Sequence, residues 1–138
     1  MRVKITSIPP LMEGYLASVS NQLDPTTWPK LITILRTYIL NLTNTLYEDV
    51  DYGDVLPPTT FVHAGFEPQF VLLILRRNVN WYIHKSPSPK REDQAKPQPT
   101  YTLQANHVYI VSECDVPAFV LESEDEHRAP YILLRKHK

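Results

Sequence analysis

The stretch Phe70-Val71-Leu72-Leu73-Ile74-Leu75 is an unbroken apolar run in the middle of the chain. A strand with one face in water alternates apolar and polar residues, whereas a strand covered on both faces is apolar throughout. The run therefore predicts a buried strand over Phe70–Arg76 with both faces covered. It is far too short to cross a bilayer.

The segments around this run also have the composition of strands. One strand is predicted before the run, over Thr59–Phe66, and one after it, over Val79–His84. Tight turns at Glu67-Pro68 and Arg77-Asn78 would join them to the central strand. Four more strands are predicted towards the C-terminus, the first two of them paired through a turn at Ala105-Asn106. They are Thr100–Gln104, His107–Ser112, Ala118–Glu122 and Tyr131–Arg135.

The first third of the chain has helical periodicity. A short strand over Arg2–Thr6 precedes a first helix over Leu11–Leu23. A second helix is predicted over about Trp28–Tyr47, because its apolar residues recur along one stripe. The acidic, glycine-containing segment that follows, from Asp49 to Gly53, is expected to end this helix.

Residues 85–99 interrupt the β-rich part. They include four prolines and no apolar anchor, so the sequence predicts a long mobile loop that protrudes from the domain. Its charged side chains are candidates for contacts with a partner or a neighbouring subunit. These candidates are Lys85, Lys90, Arg91, Glu92, Asp93 and Lys96.

Together these elements predict a single α+β domain over residues 1–138. Two N-terminal helices would pack on a mainly antiparallel β-sheet or a partly closed barrel, with the long prolyl loop projecting from it. Residues 1–56 would supply the first strand and the helices, and residues 57–138 the β-rich part. Strands 2–6 and 130–135 are predicted to be edges that can pair between subunits.

Composition excludes several classes of function. The 138 residues carry a net charge of -1, which is not the basic footprint of a general nucleic-acid binder. Cys114 is the only cysteine, so an intramolecular disulfide and a zinc site of several thiolates are excluded. The N-terminus has no signal-peptide pattern. The two glycine-rich motifs that bind phosphate groups, GxGxxG and GxxxxGK(S/T), do not occur in the sequence. We expect no membrane segment and no cofactor.

No combination of residues indicates catalysis. His63, His84 and His107 lie in predicted strands without the spacing of metal ligands. Cys114 lies between two acidic residues, which disfavour the thiolate. We therefore expect no catalytic and no metal-binding residues, and no enzymatic activity.

Two charged segments outside the loop are candidate contact sites. The acidic cluster around Gly53 contains Asp49, Asp51 and Asp54 and is interpreted as a solvated helix end or as an acidic knob that docks a basic patch on a partner subunit. The basic C-terminal tail contributes Arg135 and Lys136. Basic residues near Trp81 also leave open a sequence-independent contact with nucleic acid, although a strand tryptophan is more often part of a core.

The opening residues Val3-Lys4-Ile5-Thr6-Ser7-Ile8-Pro9-Pro10-Leu11-Met12 resemble the start of a phage neck family. This family comprises the tail-completion, tail-terminator and head–tail joining proteins of long-tailed phages. Trp81-Tyr82-Ile83-His84 is similar to the family's aromatic-x-x-His strand. The resemblance covers about residues 3–84. Asp51-Tyr52-Gly53-Asp54-Val55-Leu56 only approximates the family's Asp-Thr-Gly-x-Leu segment, and the long loop and later strands have no counterpart.

The resemblance implies a structural assembly protein of a tailed virus that joins tail to capsid. It would form a homo-oligomeric ring, a hexamer or a dodecamer, assembled in the host cytoplasm and located in the virion neck. Its partners would be other neck, portal-side or tail-tube proteins, with non-specific contact to DNA in a channel. The alternative is a small viral accessory protein that binds a host protein or nucleic acid through the acidic segments 48–54 and 122–126.

Overall fold

The computed structural model describes residues 2–18, 26–55, 59–63, 69–83, 101–113, 118–123 and 129–136. Two helices and nine strands occur in these ranges. The helices are α1 (Pro10–Ala17) and α2 (Thr27–Thr43). The strands are β1 (Arg2–Ser7), β2 (Asp49–Val55), β3 (Thr59–His63), β4 (Phe70–Ile74), β5 (Val79–Ile83), β6 (Tyr101–Leu103), β7 (His107–Ser112), β8 (Ala118–Ser123) and β9 (Ala129–Arg135).

The strands form two antiparallel sheets. One has five strands in the order β1-β7-β4-β9-β2, and the other has four in the order β3-β8-β5-β6. The predicted α+β class with helices on an antiparallel sheet is confirmed at this level. The expectation of a partly closed barrel is wrong, because the strands of the described ranges lie in two open sheets.

The five-stranded sheet is the middle layer of three. One face packs against α1 and α2 around a buried cluster that includes Met12, Leu31, Leu35, Leu73 and Ile132. The opposite face packs against the four-stranded sheet around a second buried cluster that includes Phe70, Leu72, Trp81, Tyr109 and Leu133.

Strand β4 lies at the centre of this arrangement. Its residues alternate between the two clusters, with Leu72 facing the second sheet and Leu73 facing the helices. All residues from Phe70 to Leu75 are fully buried. The prediction that this run is covered on both faces is therefore confirmed.

The second helix is shorter than predicted. It ends at Thr43, because Asn44 adopts a left-handed conformation with φ 59° and ψ 27° and donates its N–H to the Leu40 carbonyl. Asparagine is among the few non-glycine residues that adopt this conformation readily. The segment expected to end the helix is instead strand β2, which pairs with β9. The first helix is described only as far as Ala17, and the rest of its predicted range lies outside the described residues.

Consecutive strands do not form the predicted hairpins. Strand β3 lies in the other sheet from β4. The β4–β5 and β6–β7 turns are two crossovers between the sheets, because β4 and β5 lie in different sheets and so do β6 and β7. Asn106 links the two crossovers, since its N–H bonds to the Ile74 carbonyl at 2.7 Å and its side chain accepts from the Arg76 N–H at 3.3 Å. Asn78 accepts from the Ala105 N–H at 2.9 Å. Both short turns therefore connect the two sheets instead of adjacent strands of one sheet.

The register of the five-stranded sheet aligns residues of all five strands in rows. One row runs Val3-Val111-Phe70-Arg135-Asp49, the next on the same face runs Ile5-Tyr109-Leu72-Leu133-Asp51, and a third runs Ser7-His107-Ile74-Tyr131-Gly53. Strands β1 and β2 consequently run in the same direction at opposite ends of the sheet. The prediction that residues 130–135 form an edge is wrong, because β9 lies between β4 and β2.

Candidate functional site at the sheet edges

The five-stranded sheet has two outer edges, β1 and β2. Within the described ranges each of these strands has one neighbour, β7 for β1 and β9 for β2. The outward backbone N–H and C=O groups of such strands can pair with a further strand. We therefore treat the two edges as the candidate functional site.

An ion pair between Asp49 and Arg135 lies at the start of the β2 edge. The Nε of Arg135 is 2.6 Å from Oδ2 of Asp49, and the two side chains are only 18% and 15% exposed. The two residues are direct cross-strand partners in the β2–β9 register. At this distance and burial the pair holds β2 against β9, so these two predicted contact residues bind each other.

Tyr131 lies two rows further along the same face. Its hydroxyl lies close enough to the Asp51 carboxylate for the two groups to interact. Burial raises the pKa of Tyr131 above its ordinary value of 10.0, and the interaction with Asp51 and the charge of Asp54 act in the same direction, against the opposing effect of Arg135.

Gly53 is the cross-strand partner of Tyr131. A Cβ on Gly53 would lie 3.5 Å from Cε1 of the Tyr131 ring, so the ring covers this residue. An aromatic side chain that covers a strand glycine shields a backbone that has no side chain of its own. Tyr131 therefore protects the β2 backbone at this point of the edge.

The opposite face of β2 carries Tyr52. Its ring centroid is 4.9 Å from that of Trp28 at the start of α2. Trp28 is 7% exposed but Tyr52 is 47% exposed. The helix thus supports an aromatic side chain that remains open to solvent beside the β2 edge.

The β1 edge has a different chemistry. Arg2, Lys4 and Ile5 are all exposed, Ile5 to 55%. Arg2 approaches Glu113 at 3.9 Å in a pair whose side chains are 78% and 65% exposed, which binds weakly. Thr6 contacts the hydroxyl of Tyr38 on α2 at 3.1 Å. This edge is basic with an apolar residue at its centre.

The structure brings together five of the predicted contact residues. Asp49, Asp51 and Asp54 lie on β2, and Arg135 and Lys136 lie on or directly after the neighbouring β9. The interpretation of the acidic segment as a helix end is wrong, because it is a strand. The loop 85–99 lies outside the described residues, and with it the candidates Lys85, Lys90, Arg91, Glu92, Asp93 and Lys96.

Sequence reasoning missed the residues that organise these edges, notably Tyr52, Trp28, Tyr131 and Ile5. One signal was present: Asp49 to Gly53 alternates acidic or small residues with larger ones, as an edge strand does. The partners Tyr131 and Trp28 could not be found this way, since the register that places them is a long-range property.

The residues weighed for chemistry do not converge. No group of three or more His, Cys, Asp or Glu side chains that could hold a metal ion occurs among the described residues. His107 lies in the five-stranded sheet and His63 in the other, while His84 and Cys114 lie outside the described ranges. Trp81 is fully buried, which confirms its assignment to the core and removes it as a stacking platform for nucleic acid.

The chain matches no model of a known protein family, no curated protein and no solved structure. The likeness to phage neck proteins therefore depends on the short motifs of the first 84 residues. In the part of the chain that the structure describes, neither helix has the length and apolarity needed to cross a membrane.

Proposed function

We propose that this protein is a structural assembly protein of a tailed virus, a ring-forming neck or tail-terminator subunit that joins tail to capsid and has no enzymatic activity. The observation that carries the proposal is the pair of outer edges on one sheet. A subunit whose two edges differ associates head to tail, and head-to-tail contacts close into rings when the rotation between copies allows it. The N-terminal motif directs the proposal to the virion neck.

The expected partners follow from this role. A ring of six or twelve copies would contact other neck proteins, portal-side proteins or tail-tube proteins, and DNA would pass through its channel. The assembled ring would be located in the virion after assembly in the host cytoplasm. The candidate residues of loop 85–99 would then contact the next ring.

Oligomeric mass and virion location test the proposal. We expect light scattering across a concentration series to show a ring, either for the protein alone or after mixing with portal-side and tail-tube proteins. We also expect mass spectrometry to detect the protein in purified particles. A chain that remains monomeric under all these conditions and is absent from particles would contradict the proposal.

The accessory-binder alternative has one observation in its favour. An open strand such as β1 also accepts an extended peptide from a different protein. A host protein that binds the monomer at a defined stoichiometry, with no ring and no particle incorporation, would favour this second function.

A further inference from the structure

We propose that the β1 edge binds an extended strand from a different protein, in which acidic residues alternate with apolar ones. The bound strand would extend the five-stranded sheet beyond β1. The inference rests on the second function above in one respect, that an open strand accepts a segment of another protein, and it adds the chemistry of that segment. It does not require the ring. In a ring closed through β1, the same segment would compete with the next copy for this edge.

The first argument is the open backbone of β1. All six residues from Arg2 to Ser7 are in register with β7 on one side, and within the described ranges β7 is the only neighbour of this strand. In an antiparallel pair, every second residue directs its N–H and C=O groups away from the partner strand. An extended peptide can pair with these outward groups. The backbone therefore supplies a binding edge, and the side chains of β1 must supply its selectivity.

The second argument is that the two faces of β1 differ. Lys4 is in register with Ile110, which packs against the cluster under the helices, and Thr6 contacts Tyr38 on α2. Val3 packs against the other cluster, between the two sheets. Successive side chains of a strand point to opposite faces. The helix side of β1 therefore carries Arg2, Lys4 and Thr6, and the side of the second sheet carries Val3, Ile5 and Ser7.

The helix side of β1 is basic. Lys4 is exposed, and no contact between described residues engages its side chain. Arg2 approaches Glu113 at 3.9 Å, but the two side chains are 78% and 65% exposed, so this pair is weak. Lysine on an edge strand discourages pairing with an identical edge, because like charges would meet. The same cations favour an incoming strand with carboxylates on this face.

The other side of β1 is apolar at its centre. Ile5 is 55% exposed there, and Val3 beside it is partly buried against the core between the sheets. A β-branched or aromatic residue placed across from Ile5 would cover this side chain, and such cross-strand pairs stabilise a sheet. Alternate positions of the incoming strand therefore have different requirements, acidic on the helix side and apolar on the side of the second sheet.

Fluorescence anisotropy of a labelled peptide tests the proposal. The probe alternates glutamate and valine over about eight residues, which is long enough to span β1. We expect it to bind the full chain, and we expect Lys4→Glu to weaken binding roughly tenfold, because an attraction becomes a repulsion. Lys4 is exposed, so this variant should keep its fold, which circular dichroism checks. Lys30→Glu makes the same charge change at an exposed position of α2 and should leave binding unchanged.

Two changes to the peptide separate strand pairing from simple charge attraction. A peptide that alternates lysine and valine should bind roughly tenfold more weakly than the glutamate peptide. N-methylation of every second residue removes the backbone donors from one edge of the peptide and keeps its charge. Of the two such peptides, the one methylated on the edge that faces β1 should lose binding, and the other should retain it. Hydrogen exchange should slow at amides within residues 2–7 when the glutamate peptide binds.

The outcomes decide the inference separately from the proposed functions. Binding that Lys4→Glu weakens, that one methylated peptide loses and that slows exchange within residues 2–7 supports it. Equal binding of the glutamate and lysine peptides, binding that leaves exchange in β1 unchanged, or no binding of the glutamate peptide overturns it. None of these results alters the test of the ring by light scattering or the test with a host protein, since neither uses a peptide.

Discussion

Loss of the contact between Asp49 and Arg135 is expected to destabilise the edge of the sheet. Asp49→Asn removes the charge that pairs with the Arg135 guanidinium, whose side chain is only 18% exposed, so the attraction between the two charges is lost. We expect a loss of about 2 kcal/mol of unfolding free energy, more than an exposed ion pair contributes, because both side chains are largely shielded from solvent. Urea unfolding followed by circular dichroism measures it.

A double-mutant cycle identifies this loss with the pair itself. If Arg135→Gln is combined with Asp49→Asn, the double variant should be less destabilised than the sum of the two single changes, since each single change already removes the attraction between the two charges. Glu48→Gln is the matched control, because Glu48 is an exposed acid directly beside Asp49. Additive effects at Asp49 and Arg135 would mean that the pair contributes no coupling energy.

Tyr131 is expected to make the fold sensitive to alkaline pH. The raised pKa of Tyr131 means that the folded chain keeps this proton at a pH where the unfolded chain has begun to lose it. Proton loss then favours the unfolded state. The contribution of Tyr131 to the unfolding free energy is therefore fully present below the ordinary tyrosine pKa of 10.0, and it is lost as the pH rises through the pKa of the folded state. Unfolding free energy should therefore decline above about pH 10.

Tyr131→Phe tests this assignment. The variant should lose about 1 kcal/mol of unfolding free energy at neutral pH, because the polar interaction of the hydroxyl with Asp51 is removed. Its alkaline decline should be shallower than that of the parent chain, although burial also raises the pKa of Tyr47 and of Tyr82, so part of the decline remains. An unchanged alkaline slope would show that Tyr131 does not hold its proton more strongly in the folded state.

Residue types alone indicated which positions matter at the β2 edge but not what they do. Asp49 and Arg135 were both selected as contact residues because they are charged and lie in polar segments. They are 86 positions apart in the chain, and only the β2–β9 register makes them partners. A one-dimensional sequence contains no information on such pairings beyond the strand patterns, which is why the ion pair and the Tyr131 contact were not predicted.

Among the elements, β4 allows a direct test of the three-layer arrangement. Leu72 and Leu73 are adjacent and fully buried, but they pack into different clusters on opposite faces of the sheet. We expect Leu72→Ala and Leu73→Ala each to cost about 3 kcal/mol of unfolding free energy, as large-to-small changes in a core do. Chemical denaturation of the two variants measures both faces in one experiment.

Leu42→Ala is the control for these two variants. The same atoms are removed from a leucine that is 41% exposed near the end of α2, so the loss should be well below that at either core position. If one of the two β4 variants behaved like Leu42→Ala, that face of the strand would be open to solvent and a layer would be absent.

The elements that the sequence predicted best are those with a strong local pattern of apolar residues. The central strand and the body of the second helix were found because continuous apolarity and the helical stripe are local properties. The helix end was misplaced because Asn44 stops the helix through a left-handed conformation, a signal weaker than that of glycine. The two crossovers between sheets were read as hairpins because a short polar turn has the same composition in either role.

At the scale of the whole molecule, the alternation of apolar and polar residues and the lengths of the segments predicted the α+β class, but they did not predict the number of sheets. A buried strand such as β4 requires a layer on each side, yet helices and a second sheet satisfy that requirement equally. In the structure β9 lies between two strands and β2 is an edge. Residues 130–135, which were expected to form an edge, therefore lie inside the sheet, and residues 49–54, which were expected to end a helix, form the edge strand. The acidic segment is therefore an outer strand of the sheet, where it can meet a second copy.

The salt dependence of association is the last prediction, and it belongs to the assembled molecule. If surface charges near β1 and β2 bring copies together in the proposed ring, raising NaCl from about 0.05 M to about 1 M should weaken the oligomer, because the screening length shrinks to roughly 3 Å. Analytical ultracentrifugation at fixed protein concentration measures the shift. Ile5 and Tyr52 are apolar or aromatic and exposed beside the same edges, so a contact dominated by them would be unchanged or strengthened by salt. Stronger association at high salt would therefore show that these apolar and aromatic side chains, and not surface charges, dominate the contact between copies.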